Sequence, residues 1–385
     1  MKLRRLYLLY LLPIVALPIF FAAAYAADND KDKLAPYRLL TTINIPEGLV
    51  GFDISWVDSE RGRYYLANRG NAAVTPPVPP GIDVIDTKHN RFLYEIPLSS
   101  AGNGVVAIGG PGDDDHADQA GVLVVGTADS HALFIDLANP LAAPFSVSTN
   151  GNHRADELAY DPLDHVILIA NDQDTPAPFV SFISTATHAV LGRIVYDGSS
   201  GNPLSTGGIE QTVWDAAARR FYISIPKTAA HTNGEIDEIN PVTMAITKIF
   251  PTSAACGARS GPAGLALIPG QHLIASCGDV LDIASGSVLN VSGVSGDEIW
   301  FNPGDDRVYF GGGLDRISVN VVNGLSPYDV ITTLTVGLIA TPPAPNHTTH
   351  SVAADSQLDR IFVPVSHEGV KVYTDDRDNG QGPGN

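Results

Sequence analysis

Acidic side chains and one histidine recur at a fixed position of a segment that repeats along the chain. Each copy has a polar pair, then an apolar or aromatic run, then a closing Asp or Asn. The closing residues of the five clearest copies are Asp58, Asp161, Asp215, Asn302 and Asp355. Five residues before them stand Asp53, Asp156, Glu210, Asp297 and His350, and four residues before them stand Ile54, Glu157, Gln211, Glu298 and Ser351. Polarity at one register in distant copies indicates that these side chains meet in the fold.

Carboxylates gathered with a histidine could perform two kinds of chemistry. They offer oxygen and imidazole ligands for a divalent cation such as Ca²⁺, Mg²⁺, Mn²⁺ or Zn²⁺, and they could transfer protons in a hydrolase, lactonase or lyase. We predict that Glu157, Glu210, Glu298 and His350 form one inward-facing cluster of catalytic residues and metal ligands, with Asp53 as a further metal ligand. The structural alternative is that these groups join neighbouring repeats or line a wet channel.

Arginines in loops next to these positions could bind a polar ligand. Arg69 follows the second apolar run of the first copy, whereas Arg154 and Arg259 lie in loops that enter later copies. We predict all three as ligand contacts, with a small molecule or a protein as the partner. A run of acids from Asp113 to Asp118 could hold a cation, but an exposed acidic loop is the simpler interpretation.

The elements that must position these residues are short strands. Seven repeats begin near residues 53, 104, 156, 210, 264, 297 and 350, and their apolar runs are β-branched or aromatic and bounded by Gly, Pro, Asp or Asn. Four antiparallel strands per repeat predict an all-β, seven-bladed β-propeller. In that fold the first strand of each blade lines the central channel, so the recurring polar residues would converge at its mouth. We expect Trp56, Trp214 and Trp300 to pack between blades.

The two ends of the repeat region predict how the ring closes. The last repeat, from His350 to Tyr373, contains three strands, and an unassigned strand from Tyr37 to Ile45 precedes the first repeat. We predict that residues 36–45 complete the last blade, since this removes an open sheet edge. The propeller would span residues 27–374, and residues 375–385 read as a disordered tail.

The N-terminal segment has the pattern of a signal peptide. Lys2, Arg4 and Arg5 precede an apolar stretch that ends in Ala24-Tyr25-Ala26. We expect residues 1–26 to be removed and the protein to be secreted or periplasmic, a monomer without a membrane span. An uncleaved anchor is the alternative. The net charge of −19 argues against nucleic acid as a partner.

Two cysteines, Cys256 and Cys277, flank a short segment of the fifth repeat. Export allows a disulfide between them, and two buried thiols are the alternative. A Cys-x-x-Cys-His motif is absent from the sequence, so covalent c-type haem is excluded.

Two short runs resemble a known repeat. Tyr64-Tyr-Leu-Ala-Asn68 and Val84-Ile-Asp-Thr-Lys88 are similar to the YVTN-type repeat of exported bacterial seven-bladed propellers and of propeller domains related to cytochrome d1. The resemblance implies fold and export rather than an activity, and the haem-ligand domain of the cytochrome d1 enzymes has no counterpart. The axial acids are also similar in arrangement to the metal site of six-bladed gluconolactonase-type propellers. A binding module, a metal-assisted enzyme and a scaffold therefore remain open.

Overall fold

The computed structural model describes residues 37–109 and 121–375. The predicted signal peptide, the acidic run from Asp113 to Asp118 and the tail beyond residue 375 lie outside the described residues. In the described part, 28 strands form seven four-stranded antiparallel sheets. The chain is therefore an all-β, seven-bladed propeller, as the repeats predict, and its inner strands begin within three residues of the expected starts.

Blades 1 to 3 each take four consecutive strands. Blade 1 contains β2 to β5, which span Gly51–Asp58, Arg63–Gly70, Gly81–Asp86 and Arg91–Pro97. Blade 2 contains β6 to β9, which span Gly102–Ile108, Val122–Thr127, His131–Asp136 and Phe145–Ser148. Blade 3 contains β10 to β13, which span Leu158–Asp161, Val166–Asn171, Phe179–Ser184 and Val190–Val195.

Blades 4 to 6 continue the same pattern. Blade 4 contains β14 to β17, which span Thr212–Asp215, Arg220–Ile225, Glu235–Asn240 and Ala245–Pro251. A short helix, α1 (Ala254–Gly257), leads into blade 5, whose strands β18 to β21 span Leu265–Ile268, His272–Ala275, Asp279–Asp282 and Val288–Asn290. Blade 6 contains β22 to β25, which span Gly296–Asn302, Arg307–Gly312, Ser318–Asn323 and Val330–Thr335. No described helix could cross a membrane.

Blade 7 joins the two ends of the ring. Its first three strands, β26 to β28, span Ala353–Asp355, Arg360–Val365 and Gly369–Thr374. The fourth and outermost strand is β1 (Arg38–Ile43), which pairs antiparallel with β28. The prediction that the segment before the first repeat completes the last blade is confirmed over Arg38–Ile43, and residue 36 of the predicted span lies outside the described residues. The ends are also tied to blade 6, because Tyr37 and Asp375 both bond Arg307. Asp375, the first residue of the expected tail, is buried in this contact.

The closing Asp or Asn of each clear repeat shapes the inner hairpin. The Oδ1 atom of Asp161 accepts hydrogen bonds from the backbone N–H of Leu163 and Asp164 at 2.9 and 3.2 Å. The equivalent atoms of the other four closing residues accept from the backbone N–H two or three positions on. These side chains satisfy the turn backbone and end the inner strand, which explains why they recur.

Each inner strand packs against the inner strands of the neighbouring blades, and the seven form a closed ring. Apolar side chains fill the space between blades; for example, Leu168 and Phe182 of blade 3 pack with Phe221 and Ile223 of blade 4. Burying each of these side chains contributes about 1.5–3 kcal/mol. Apolar packing between blades therefore sets the positions of the inner strands around the channel.

Glycines stand in blades 2 and 5 at the position that Glu157 and Glu298 occupy in blades 3 and 6, where the next blade comes close. A Cβ atom added to Gly104 would lie 2.0 Å from the carbonyl oxygen of Asp156, and one added to Gly264 would lie 2.4 Å from that of Asp297. A side chain at either position would push neighbouring blades apart. This requirement accounts for the weaker repeats at these two places.

The disulfide prediction is confirmed. Cys256 of α1 and Cys277 after β19 are bonded, with their Cα atoms 4.9 Å apart. Both are buried. The bond fixes the loop before blade 5 to the end of its second strand.

Candidate functional site in the central channel

The central channel has two compartments. Where the inner strands begin, charged side chains of several blades form the set that we call the charged ring, which comprises Asp53, Arg69, Arg154, Asp156, Asp172, Glu210, Asp297 and His350. Further along the strands lies a cavity of about 440 Å³, called here the channel cavity. A buried layer that includes Ile54, Glu157, Glu298 and Ser351 separates the two.

Arg154 is the centre of the charged ring. Its Nη2 atom lies 2.7 Å from Asp172 and 2.9 Å from Asp156, its Nε atom donates to Asp172 at 3.1 Å, and its Nη1 atom lies 3.5 Å from Asp53. Burial works against its charge, but the three carboxylates hold the pKa of Arg154 above its usual value. One guanidinium thus links blade 1 to blade 3 across the channel mouth.

Asp53 collects the remaining basic groups. Arg69 bonds Asp53 and also Asn103 of blade 2, and the Nε2 atom of His350 lies 3.4 Å from Asp53. The His350 ring stacks on Phe52 at 4.7 Å. Burial alone would raise the pKa of Asp53, but the hydrogen bond to His350 and the charges of Arg69 and Arg154 hold it below the usual range. Asp53 is therefore the ionised anchor of the ring.

Two other acids of the charged ring, Asp156 and Glu210, have raised pKa values. Burial raises the pKa of Asp156, and the Asp53 charge adds to this although Arg154 opposes it. Burial also raises the pKa of Glu210, with further contributions from the nearby Asp172 and Asp297 carboxylates. The raised pKa values of these acids and the neighbouring arginines together limit the repulsion within the ring.

Glu157 and Glu298 lie one residue further into the channel and form a pair. Their carboxyl groups are in hydrogen-bond contact, and the side chains belong to residues that are only 4% and 9% exposed. Burial is the largest cause that raises the pKa of both, and their mutual repulsion raises that of Glu157 further. Two carboxyl groups can bond in this way only when one of them carries a proton.

Beyond this pair the channel cavity is largely apolar. Its walls carry Trp56, Tyr160, Trp214, Trp300 and Phe301, all of them half-buried. Trp56 and Trp300 meet edge to face with ring centroids 5.0 Å apart. The tryptophans also pack against the apolar blade cores, as expected, but they have a second face toward the cavity. The cavity therefore combines aromatic walls with one buried acidic end.

The predicted site residues are divided between these compartments. Glu157 and Glu298 line the channel cavity, as do Gln211 and Ser351 from the same register. Glu210, His350 and Asp53 come from the preceding register and belong to the charged ring. Consecutive strand residues alternate in direction, so the two registers separate rather than merge into one cluster. The sequence alone does not show which of these two sets of residues faces the inside of the channel.

The three predicted arginines also divide. Arg69 and Arg154 belong to the charged ring, where they neutralise acids. Arg259 instead donates from its Nη1 atom to the backbone carbonyl of Cys277 at 2.5 Å, beside the disulfide. Its role in the structure is therefore to support the loop of blade 5.

A divalent cation would need several ligand atoms close together. Within residues 37–109 and 121–375, the one group that brings three His, Cys, Asp or Glu ligand atoms within 4.8 Å of each other is Cys256, Cys277 and Asp279. The two sulfur atoms of that group are joined in the disulfide and are not thiolate ligands. The cation near Glu157 and Glu298 stays a prediction for elemental analysis of the purified protein.

Two features of the site carry no clear signal in the sequence. Asn103, which bonds Arg69 and donates to the carbonyl of Ala155 at 3.0 Å, lies in a weak repeat. The cavity walls come from half-buried aromatic residues near the ends of inner strands, a position that also suits core packing. Three tryptophans at that position in separate blades were the only hint.

Comparison with known proteins supports the fold alone. No protein-family model matches the sequence, and no curated protein matches it. Among solved structures, 1436 chains match. One belongs to a structure entitled "Crystal Structure of Mitotic Checkpoint Complex", with a TM-score of 0.62, 11% identity and coverage of 94% of this chain and 98% of that chain. At that identity the likeness shows a shared propeller architecture.

Proposed function

We propose that this protein is an exported binding protein that holds a small molecule in the channel cavity. The observation that carries the proposal is the combination of aromatic walls with a buried carboxyl pair in one cavity of about 440 Å³. Small-molecule sites have volumes of roughly 300–1,000 Å³ and pair apolar walls with a few placed polar groups. The channel cavity has this composition.

The charged ring is better suited to support than to binding. Its basic groups already contact its carboxylates: Arg154 bonds Asp172, and both Arg69 and His350 contact Asp53. A ligand at that mouth would have to displace these ion pairs, and breaking a buried pair leaves an uncompensated charge. The channel cavity offers a ligand free space and polar groups without that cost.

Acid–base catalysis is the second candidate function, and the Glu157–Glu298 pair favours it. A carboxyl pair with one proton contains both a donor and an acceptor. A hydrolase, lactonase or lyase could use the pair, with a divalent cation as in the sequence prediction. Turnover of a bound compound would distinguish this from binding alone, since replacing either glutamate with Gln would then abolish product formation.

Export rests on three observations. The segment up to Ala26 has a signal-peptide pattern, and the similarity to YVTN-type propellers points to the same compartment. The Cys256–Cys277 disulfide supports an oxidising environment, because such bonds persist mainly outside the cytosol. N-terminal sequencing of the protein from its native host tests the proposal, with Ala27 expected as the first residue.

The fluorescence of the three tryptophans tests the binding proposal, because all three line the channel cavity. We expect benzyltrimethylammonium or its neutral carbon isostere, neopentylbenzene, to change the emission in a saturable way. Ala107→Phe places a ring in the cavity wall and should abolish the change, whereas Ala142→Phe, at an exposed position, should preserve it. Equal responses of both variants, or no response from the wild type, would contradict binding in the cavity.

A further inference from the structure

We propose that the ligand of the channel cavity is a hydrophobic organic cation, an amine or a quaternary ammonium. Its positive group would lie against Glu157 and Glu298, and its apolar part would lie against the tryptophans. The inference rests on the proposed function, because it names the ligand class of the same cavity. Four observations support it.

First, among the residues that the structure describes, no cation is among the main groups that act on the carboxyl pair. The charged groups that act on Glu157 and Glu298 are Asp53, Asp156, Glu210 and Asp297, all of them acids. The two guanidinium groups of the charged ring are held by its own carboxylates, Arg154 by Asp172, Asp156 and Asp53, and Arg69 by Asp53. A cation entering the cavity would thus meet an uncompensated acidic end.

Second, one oxygen of the pair is without a partner. The Oε2 atom of Glu298 is buried and has no hydrogen-bond partner among the described residues, although Glu298 lines the cavity. A buried polar atom of this kind is destabilising unless something bonds it. A protonated amine at the inner end of the cavity would supply both a hydrogen bond and a compensating charge, and a quaternary ammonium would supply the charge alone.

Third, the walls suit a cation with apolar substituents. The faces of Trp56, Trp214, Trp300 and Tyr160 carry partial negative charge, and cations are attracted to such faces, most strongly to those of tryptophan. Aromatic rings also remove apolar groups from water. An anionic ligand would meet repulsion from both the walls and the carboxyl pair.

Fourth, the charge of the whole protein favours cations. The formal net charge is −19 at pH 7, and a strongly negative field raises the local concentration of positive ligands. The same field disfavours anionic compounds.

Binding of a cation should release a proton. The Glu157–Glu298 contact needs at least one proton, and an adjacent positive charge favours the ionised form of both groups. The proton therefore leaves to solvent as the cation binds. Affinity should rise with pH, because at lower pH the cation must compete with protons for the pair. Gln211 and Ser351, which face the cavity at the same level, do not titrate.

Isothermal titration calorimetry with benzyltrimethylammonium and neopentylbenzene tests this inference at pH 6 and pH 8. At pH 8 we expect the cation to bind at least about tenfold more tightly than its neutral isostere, and to lose several-fold in affinity at pH 6. Titrations in buffers of different ionisation enthalpy should show uptake of the released proton by the buffer.

Substitutions of the two glutamates test whether their charge, rather than the shape of the cavity, selects the cation. Glu298→Gln and Glu157→Gln should each remove most of the preference for the cation over neopentylbenzene. Glu47→Gln, which removes an exposed acid outside the cavity, controls for the loss of one charge. Equal affinity for both probes, or a preference that survives both substitutions, would overturn the inference and leave the proposed function standing. Absence of binding by both probes would overturn the inference and the proposed function together.

Discussion

Glu157 of blade 3 and Glu298 of blade 6 share a hydrogen-bond contact at the inner end of the channel cavity. They are far apart in sequence, and the ring of inner strands brings them together. Burial raises the pKa of both side chains, so one carboxyl keeps its proton under conditions in which an exposed carboxyl would lose it. The charge at this end of the cavity therefore depends on pH.

Replacing Glu298 with Gln should stabilise the empty protein at neutral pH. The folded-state pKa of each glutamate lies above the unfolded value, so the folded protein binds more protons between those two values. Stability is then highest below the unfolded pKa of about 4.3 and falls as pH rises through the raised pKa. The variant removes this loss, and we expect a gain of about 1–2 kcal/mol near pH 8.

Urea unfolding of both proteins from pH 5 to pH 8 measures this effect. The stability of the Glu298→Gln variant should depend less on pH, and the difference from wild type should shrink toward pH 5. Glu47→Gln is the control for an exposed acid and should follow the wild-type curve. If the stability of Glu298→Gln changed with pH as much as that of the wild type, the Glu157–Glu298 pair would not destabilise the protein without a ligand.

Replacing Arg154 with Met should destabilise the fold. Asp53, Asp156 and Asp172 would lose their shared cation, and Arg154 is itself only partly exposed. We expect the free energy of unfolding to fall by about 2–4 kcal/mol. This range already allows for the partial solvent access of Arg154, which weakens its ion pairs. The control, Arg219→Met, breaks the exposed pair with Asp164 and should cost under about 1 kcal/mol. Thermal denaturation measures the stability of both variants. If Arg154→Met and Arg219→Met lost similar stability, the charged ring would not stabilise the fold.

Removing the disulfide should lower stability by about 3 kcal/mol, because the bond closes a loop with a sequence separation of 21 residues. The double variant Cys256→Ala and Cys277→Ala avoids free thiols at these buried positions. Denaturant unfolding gives the difference in stability. A variant as stable as wild type would show that Arg259 and the packing around α1 hold the loop unaided.

Removing the closing strand should cause association. A chain that begins at residue 47 lacks β1 and exposes the edge of β28, whereas a chain that begins at residue 27 keeps the strand. We expect the shorter protein to aggregate in light-scattering measurements and the longer one to remain dispersed. A stable, dispersed shorter chain would contradict a structural role for β1.

Much of the fold was predictable because local chemistry repeats. The closing residues, such as Asp161, bond the backbone of each inner hairpin, so the same residue type recurs once per clear repeat. Tyr37 to Ile45 was recognisable as the closing strand because the last repeat lacked one. Cys256 and Cys277 were the two cysteines of the chain, which left one intramolecular pairing.

The site was less predictable because it depends on which side of each strand faces the channel. Glu157 and Asp156 are adjacent, and the sequence offers no physical signal to choose between them. The role of Arg154 depends on Asp172 and Asp53, which reach it from different strands. Trp214 could equally have packed only in the core, and its second face toward the cavity follows from the spacing of the blades.

A crystal structure of the protein soaked with benzyltrimethylammonium tests the central claim most directly. The account predicts electron density for the probe inside the channel cavity, with the ammonium beside Glu157 and Glu298 and the ring among Trp56, Trp214 and Trp300. Density in the charged ring around Arg154, or only on the outer surface of the blades, would contradict it.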